Sequence, residues 1–296
     1  MHTQIDRTQQ TVTLTDGRTL GNAEVRPNAL KEDGLFFALT LGLSFLVFWG
    51  PLALFQITAI SFVTKATGPA WAIALFMLGG FVPSLLAVAL TGLRGGKAGL
   101  KQLWRRTIQV KLGWRAYGAA VGLVLFGSAS QIALQYGLGH RFDFSLFLSQ
   151  LPSFLPLILI GPLSEELGWR GYAQSRLQTR WNPLVAAGGV GAAWGLWHLP
   201  LFLMPGTSQH ELGVPFAGFF VGLIGLSVLF AWLQNQAGGS VWMAVFFHWI
   251  YTYAGQVVAT GVTRSPLYNW LEYTPYLLAA IVIAVLWRGR TAPARD

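Results

Sequence analysis

The chain has 296 residues, 53% hydrophobic and only 10% charged, with a mean hydropathy of +0.50. Soluble domains carry about 25% charge, so this composition excludes an ordinary soluble globular protein and indicates a single polytopic bundle in membrane lipid. The net charge of +9 does not indicate nucleic acid as a partner, because the basic residues are scattered between apolar runs, and the lack of cysteine excludes disulfides, thiolate metal ligands and a cysteine nucleophile.

Residues 1–33 are polar and carry no cleavable signal peptide. Within them, residues 11–20 alternate apolar and polar around Asp16-Gly17, a hairpin signal. This segment is expected to be a small cytosolic appendage or a disordered tail, and no G-x-S-x-G elbow follows it. A membrane span needs roughly 20 apolar residues. Eight are predicted in the bundle 34–288, near 36–60, 70–93, 116–138, 145–164 (continuing as helix toward 178), 183–203, 214–234, 240–260 and 273–287. Residues 212–263 contain no Asp, Glu, Lys or Arg; they exceed one helix, and Gln234-Asn235-Gln236-Ala237-Gly238-Gly239-Ser240 divides them. The pairs Gly191/Gly195 and Gly218/Gly222 follow the small-xxx-small pattern of close helix packing. Residues 289–296 form a basic tail.

Lysine and arginine counts set the expected orientation. With the N-terminus inside, the cytoplasmic side holds four before span one, seven in 94–115, three after Glu166 (Arg170, Arg176, Arg180) and three at the C-terminus, 17 in all. The outside holds Lys65, Arg141 and Arg264. The fold class is therefore all-α, a polytopic helix bundle of about eight transmembrane helices with both termini cytoplasmic, in the plasma membrane of a prokaryote. Residues 94–115 interleave Leu100, Leu103, Trp104 and Val110 with bases; they read equally as a segment lying on the membrane surface or as a solvated loop.

Few strongly polar groups remain inside the spans. Residues 144–164 carry no charge, yet they end on Glu165-Glu166-Leu167-Gly168-Trp169-Arg170. Carboxylates there are costly, which makes them a functional-site hypothesis. Glu166 and Arg170 stand four apart and face each other on a helix, an ion pair more structural than chemical. Glu165 lies about 100° round the helix and is left as the free carboxylate that a general base requires. His198 follows Trp194-Gly195-Leu196-Trp197. Glu165 is 17 residues before Asn182 and His198 is 16 after it, so an antiparallel hairpin turning near Asn182-Pro183 sets the two at nearly one depth. A carboxylate and an imidazole at one level can activate water. His248 and Thr252 share a helix face and can donate to an oxyanion; His248 alone reads equally as core. His210-Glu211 begins like a zinc H-E-x-x-H, but Val214 stands where the second histidine belongs.

Three motifs in order resemble one family. Glu165-Glu166-x-x-x-Arg170 is similar to its E-E-x-x-x-R, Trp194-x-x-x-His198 to its F-x-x-x-H with Trp for Phe, and His248-x-x-x-Thr252 to its H-x-x-x-N with Thr for Asn. This is the CPBP family of CAAX proteases and bacteriocin-processing (Abi-like) enzymes, related to type II CAAX prenyl endopeptidases. The likeness is close over 160–255, and each motif sits on a separate predicted span. It implies an all-helical intramembrane endopeptidase in which Glu165 and His198 activate the attacking water, His248 with residue 252 forms the oxyanion site, and Glu166 and Arg170 orient their helix. Trp194 would support the site. The resemblance leaves open whether the chemistry is glutamate-dependent or uses a divalent metal such as zinc, which Glu165, His198 and His248 would bind. Thr252 lacks the second donor and the reach of an amide, and Tyr251 and Tyr253 are the neighbouring hydroxyls.

The implied partners are membrane lipid and a protein or peptide substrate, C-terminally lipidated in the family's eukaryotic branch, with no nucleic acid. Two other classes stay open: a non-catalytic binding, immunity or scaffold protein of this family, and a transporter with Glu165 and Arg170 along its path. The transporter reading lacks a visible inverted repeat.

Overall fold

The computed structural model describes residues 12–13, 19–20, 29–61, 66–152 and 159–288. Val12–Thr13 pairs antiparallel with Thr19–Leu20, Val12 opposite Leu20. The rest of the N-terminal segment before residue 29 and the basic tail 289–296 lie outside the described residues. Everything else of length is helical. Helix α1 (Ala29–Leu43) runs through a π-helical turn (Ser44–Phe48) into α2 (Trp49–Leu54). Then follow α3 (Ala70–Thr107), α4 (Trp114–Gly137) and the short α5 (Phe144–Gln150), which Asp143 caps by accepting from the Leu146 amide at 2.9 Å. Helix α6 (Ile160–Glu166) continues as an eight-residue π-helix (Leu167–Gln174) into α7 (Ser175–Leu177). After a turn come α8 (Pro183–Trp197), the 3-10 turn Leu199–Phe202, α9 (Ser208–Glu211), α10 (Phe216–Gln236), α11 (Val241–Gly261), α12 (Pro266–Leu271) and α13 (Thr274–Trp287).

Among the described residues five stretches are long and apolar enough to cross a membrane: Asp33–Leu54, Ala70–Thr107, Trp114–Gly137, Phe216–Gln236 and Pro266–Trp287. They coincide with five of the eight expected spans. The other three regions are also helical but differ from simple spans. The region expected at 145–164 holds the separate helices α5 and α6. Helix α8 has 15 residues, because Pro200 cannot continue it. Helix α11 has the length, 21 residues, but is less apolar.

Glycine sets the closest helix approaches. A Cβ on Gly191 would meet Ile224 and Ser227 of α10 at 2.8 Å, and one on Gly195 would meet Phe220 at 2.8 Å. Gly222 lies against Tyr273, whose side chain a Cβ would meet at 2.6 Å, and Gly218 faces Trp270. Both expected glycine pairs are therefore packing surfaces: the first joins α8 to α10, and the second joins α10 to Trp270 of α12 and to Tyr273 at the start of α13. Gly168 opens the π-helix onto α3, where a Cβ would meet the backbone of Pro83 at 2.6 Å. An aromatic cluster of Phe36, Trp49, Trp169 and Trp197 fills the centre, with Trp49 and Trp197 ring centroids 4.4 Å apart and the Trp197 indole donating to Ser44 Oγ at 2.7 Å.

His210 and Glu211 are structural. Glu211 Oε1 accepts from the Gly206 amide at 2.7 Å, and His210 Nδ1 donates to the Phe202 carbonyl at 3.1 Å.

Candidate active site

The two carboxylates at the end of α6 diverge as their spacing predicts. Glu166 is fully buried. Its Oε1 accepts from Arg170 Nη1 at 2.9 Å and from His248 Nδ1 at 2.7 Å. Because a carboxylate can only accept, the Nδ1 of His248 carries a proton, and Nε2 is the ring nitrogen left for other work. The Arg170 guanidinium sits in the corner between two nearly perpendicular rings, 4.3 Å from the Trp194 centroid and 3.9 Å from that of Phe230. A buried charge needs such compensation, since Arg170 Nη2 has no hydrogen-bond partner among the described residues. Its carbonyl is held as well, by Ser175 Oγ at 2.7 Å and Gln234 Nε2 at 3.1 Å. Such side-chain donors suit a π-helix, whose i→i+5 ladder departs from the usual pairing.

Glu165 is only partly buried, and its Oε2 accepts from the Trp194 indole N–H at 2.6 Å. His198 caps the C-terminus of α8: its Nδ1 meets the Trp194 carbonyl at 2.7 Å. A carbonyl also only accepts, so Nδ1 is the protonated nitrogen and Nε2 of the neutral ring carries a lone pair. The His198 ring stands edge-on to Trp194, Trp197 and Phe219. Trp194 also meets His248 edge-on, with centroids 5.5 Å apart.

Glu165 and His198 are thus joined through Trp194 rather than directly. The hairpin expected around Asn182 is present: Asn182 caps α8 by accepting from the Leu184 amide at 2.8 Å, and Pro183 opens the helix. The arm on the Glu165 side includes the π-helix, which has more residues per turn than an α-helix, and both Glu165 and His198 bond Trp194.

Thr252 lies one turn beyond His248 on α11 and is partly buried. The Tyr253 hydroxyl is committed elsewhere, donating to the Leu151 carbonyl. Tyr251 packs edge-on against Tyr276, centroids 5.1 Å apart. Phe230 and Gln234 were not singled out in the sequence. They are four apart on α10, one on Arg170's guanidinium and the other on its carbonyl, and a glutamine at the end of an apolar span was their one visible signal.

Residues 146–254, which hold all of these groups, match the family described as Type II CAAX prenyl endopeptidase Rce1-like. The motif-bearing segment is thus similar to the CAAX-protease family. A similar protein is the CAAX prenyl protease 2 of Methanococcus maripaludis, 32% identical over 120 residues, which cover 37% of this chain and 43% of that protein. The chain thus spans less than half the length of the curated relative it matches. With five stretches among the described residues long and apolar enough to cross a bilayer, this is an integral, multi-pass membrane protein.

Whether the motif-bearing segment suits a metal is decided by its donors. Among the described residues no group of three or more His, Asp or Glu side chains is placed to hold an ion. Glu165 is bound to an indole, His198 offers one nitrogen and His248 is turned to Glu166. This donor set does not fit a resident zinc ion, which takes at least three protein ligands.

Proposed function

We propose that the protein is a glutamate-dependent intramembrane endopeptidase that hydrolyses a peptide bond in a membrane-associated polypeptide. The observation that carries this reading is the division of the carboxylates: Glu166 is consumed by Arg170 and His248, whereas Glu165 is partly exposed and tethered by one oxygen. Glu165 Oε1 and His198 Nε2 are then two acceptors for the two protons of one water. Held by both, the water oxygen turns a lone pair toward the scissile carbonyl carbon. As the C–O bond forms, the water proton passes to Glu165 and the carbonyl electrons go to its oxygen. His248 Nε2–H and the Thr252 hydroxyl donate to that oxyanion. For this His248 carries both ring protons, and Glu166 supplies the countercharge at Nδ1. Collapse breaks the C–N bond, and Glu165 returns its proton to the leaving amine.

The substrate class follows from the family. The relative's name denotes a CAAX prenyl protease, which supports a substrate whose C-terminus carries a lipid and lies in the bilayer. The positive-inside count supports a site reached from the cytoplasm in a prokaryotic plasma membrane. The test uses the full chain in liposomes with a farnesylated CAAX peptide and an unprenylated transmembrane peptide as probes. Glu165→Gln and His198→Ala are expected to lower kcat by about 10³-fold or more with unchanged membrane insertion. Full activity in either variant sinks the peptidase reading. Thr252, with a single donor, favours the second reading, a non-catalytic binding protein of the same family; under it neither probe is cut and neither variant alters partner capture.

A further inference from the structure

Helix α3 has 38 residues. It is two helical stretches joined at Gly96, and the first, residues 70–95, already measures about 39 Å at 1.5 Å per residue, more than the hydrocarbon core of roughly 30 Å. It bends at Gly96, whose φ of 54° and ψ of −151° are outside the helical region and readily adopted only by glycine. The chain beyond Gly96 therefore leaves the span. There it exposes large apolar side chains: Trp104 is 60% exposed, Ile108 50%, Val110 48% and Trp114 77%. Interleaved with them are the exposed cations Lys97, Lys101, Arg105 and Lys111, with Arg115 lying over the Trp114 ring at 5.7 Å. Residues 94–115 contain no Asp or Glu, and Lys97, Lys101, Arg105 and Lys111 make no ion pair among the described residues.

The segment is anchored from beneath. Leu103 is buried against Gly171. Arg106 turns inward and donates to the Gly239 carbonyl at 2.9 Å, the Gly171 carbonyl at 3.3 Å and Ser175 Oγ at 2.6 Å. The Gln109 carbonyl accepts from Ser240 Oγ at 3.0 Å, and the Val110 carbonyl from the Tyr117 hydroxyl at 2.6 Å. Two cations of the run are tied to the bundle, Arg106 and also Arg94, which donates to the Tyr172 hydroxyl, while Lys97, Lys101, Arg105, Lys111 and Arg115 are exposed.

We propose that residues 97–115 form a binding surface for anionic phospholipid headgroups. Tryptophans settle at the headgroup level, and cations there attract acidic lipids by about fivefold in affinity each. The charge complementarity names the partner: a zwitterionic lipid satisfies the tryptophans but leaves the cations uncompensated. A solvated topology loop would expose the same charges without two tryptophans at 60% and 77% accessibility.

The test is lipid selectivity of the full-length protein in phosphatidylcholine bilayers, read by electron spin resonance with spin-labelled phosphatidylglycerol or phosphatidylcholine. The wild type is expected to favour phosphatidylglycerol severalfold. The preference should fall toward unity in 1 M NaCl, where the Debye length is about 3 Å, and in K97Q/K101Q/K111Q, while Arg141→Gln on the opposite side keeps it. Should the triple variant not fold, the single variants K101Q and K111Q and the salt series on the wild type carry the test. A wild type without preference, a preference indifferent to salt, or one that survives loss of these lysines overturns the proposal. Salt-sensitive capture of acidic peptides without lipid selectivity would reassign the surface to a protein partner and equally overturn it.

Discussion

Trp194 touches every candidate group on its side of the site. Its indole N–H binds Glu165, its ring covers Arg170, its carbonyl fixes the tautomer of His198 and its edge meets His248. Phenylalanine, which the family motif carries here, would keep the ring and lose the N–H. A hydrogen bond to a charged group contributes about 1.5–3 kcal/mol. Trp194→Phe is therefore expected to lower kcat about tenfold or more while KM and the thermal unfolding midpoint change little; an unchanged kcat refutes a positioning role. Glu166 responds differently. Removing one partner of a buried ion pair costs about 3–5 kcal/mol, and Arg170 would remain buried beneath two rings. Glu166→Ala is expected to lower the unfolding temperature in detergent, where Glu165→Gln does not. The third residue to change is Thr252: Thr252→Asn adds a second donor and should raise the turnover of any cleaved peptide severalfold, measured against the wild type on the same probe.

The π-helix Leu167–Gln174 determines the site at the scale of elements. It follows Glu166 directly and holds Arg170 in its first half, and it packs on α3 where Gly168 meets Pro83. Any side chain at 168 would push the π-helix off α3 and move both carboxylates with it. Gly168→Ala should thus reduce folded yield or shift the unfolding transition downward, whereas Gly188→Ala on α8, where a Cβ would meet nothing within 4 Å, should be silent. A comparison of the two by size-exclusion chromatography and thermal unfolding checks this. The existence of most helices was legible in hydropathy, because crossing lipid demands internally bonded backbone. The π-helix was not, because its ladder depends on side chains from other elements, among them Gln234 on α10. Hydropathy and spacing likewise give no sign that the Trp194 indole binds Glu165.

Over the whole molecule, one set of polar ties joins four elements at one end, and a second, around Arg264, Asn269 and Glu272, lies between α11 and α13. Asp33 is buried between Arg176, at 2.7 Å, and Arg180. Arg106 reaches the α10–α11 turn at Gly239, and Asn182 Nδ2 donates to the Arg288 carbonyl at 3.2 Å. The start of α1, the end of α3, the hairpin turn and the end of α13 therefore share the face that charge counting assigns to the cytoplasm. Asp33→Asn removes the charge from between two arginines, and we expect easier proteolysis of the segment before α1, seen as faster trypsin cleavage in intact vesicles.

The sequence by itself determined the membrane class, the glycine packing surfaces and the split between Glu165 and Glu166. These follow from composition and from the helical period, which act over a few residues. The tertiary structure alone decided which group touches which carboxylate, that His248 is held by Glu166, and that Trp194 rather than His198 binds Glu165. Those contacts join residues 29 and 82 apart in the chain. Their partners are set by how far each helix rises and turns before it meets its neighbour, a sum over whole elements that no local spacing records.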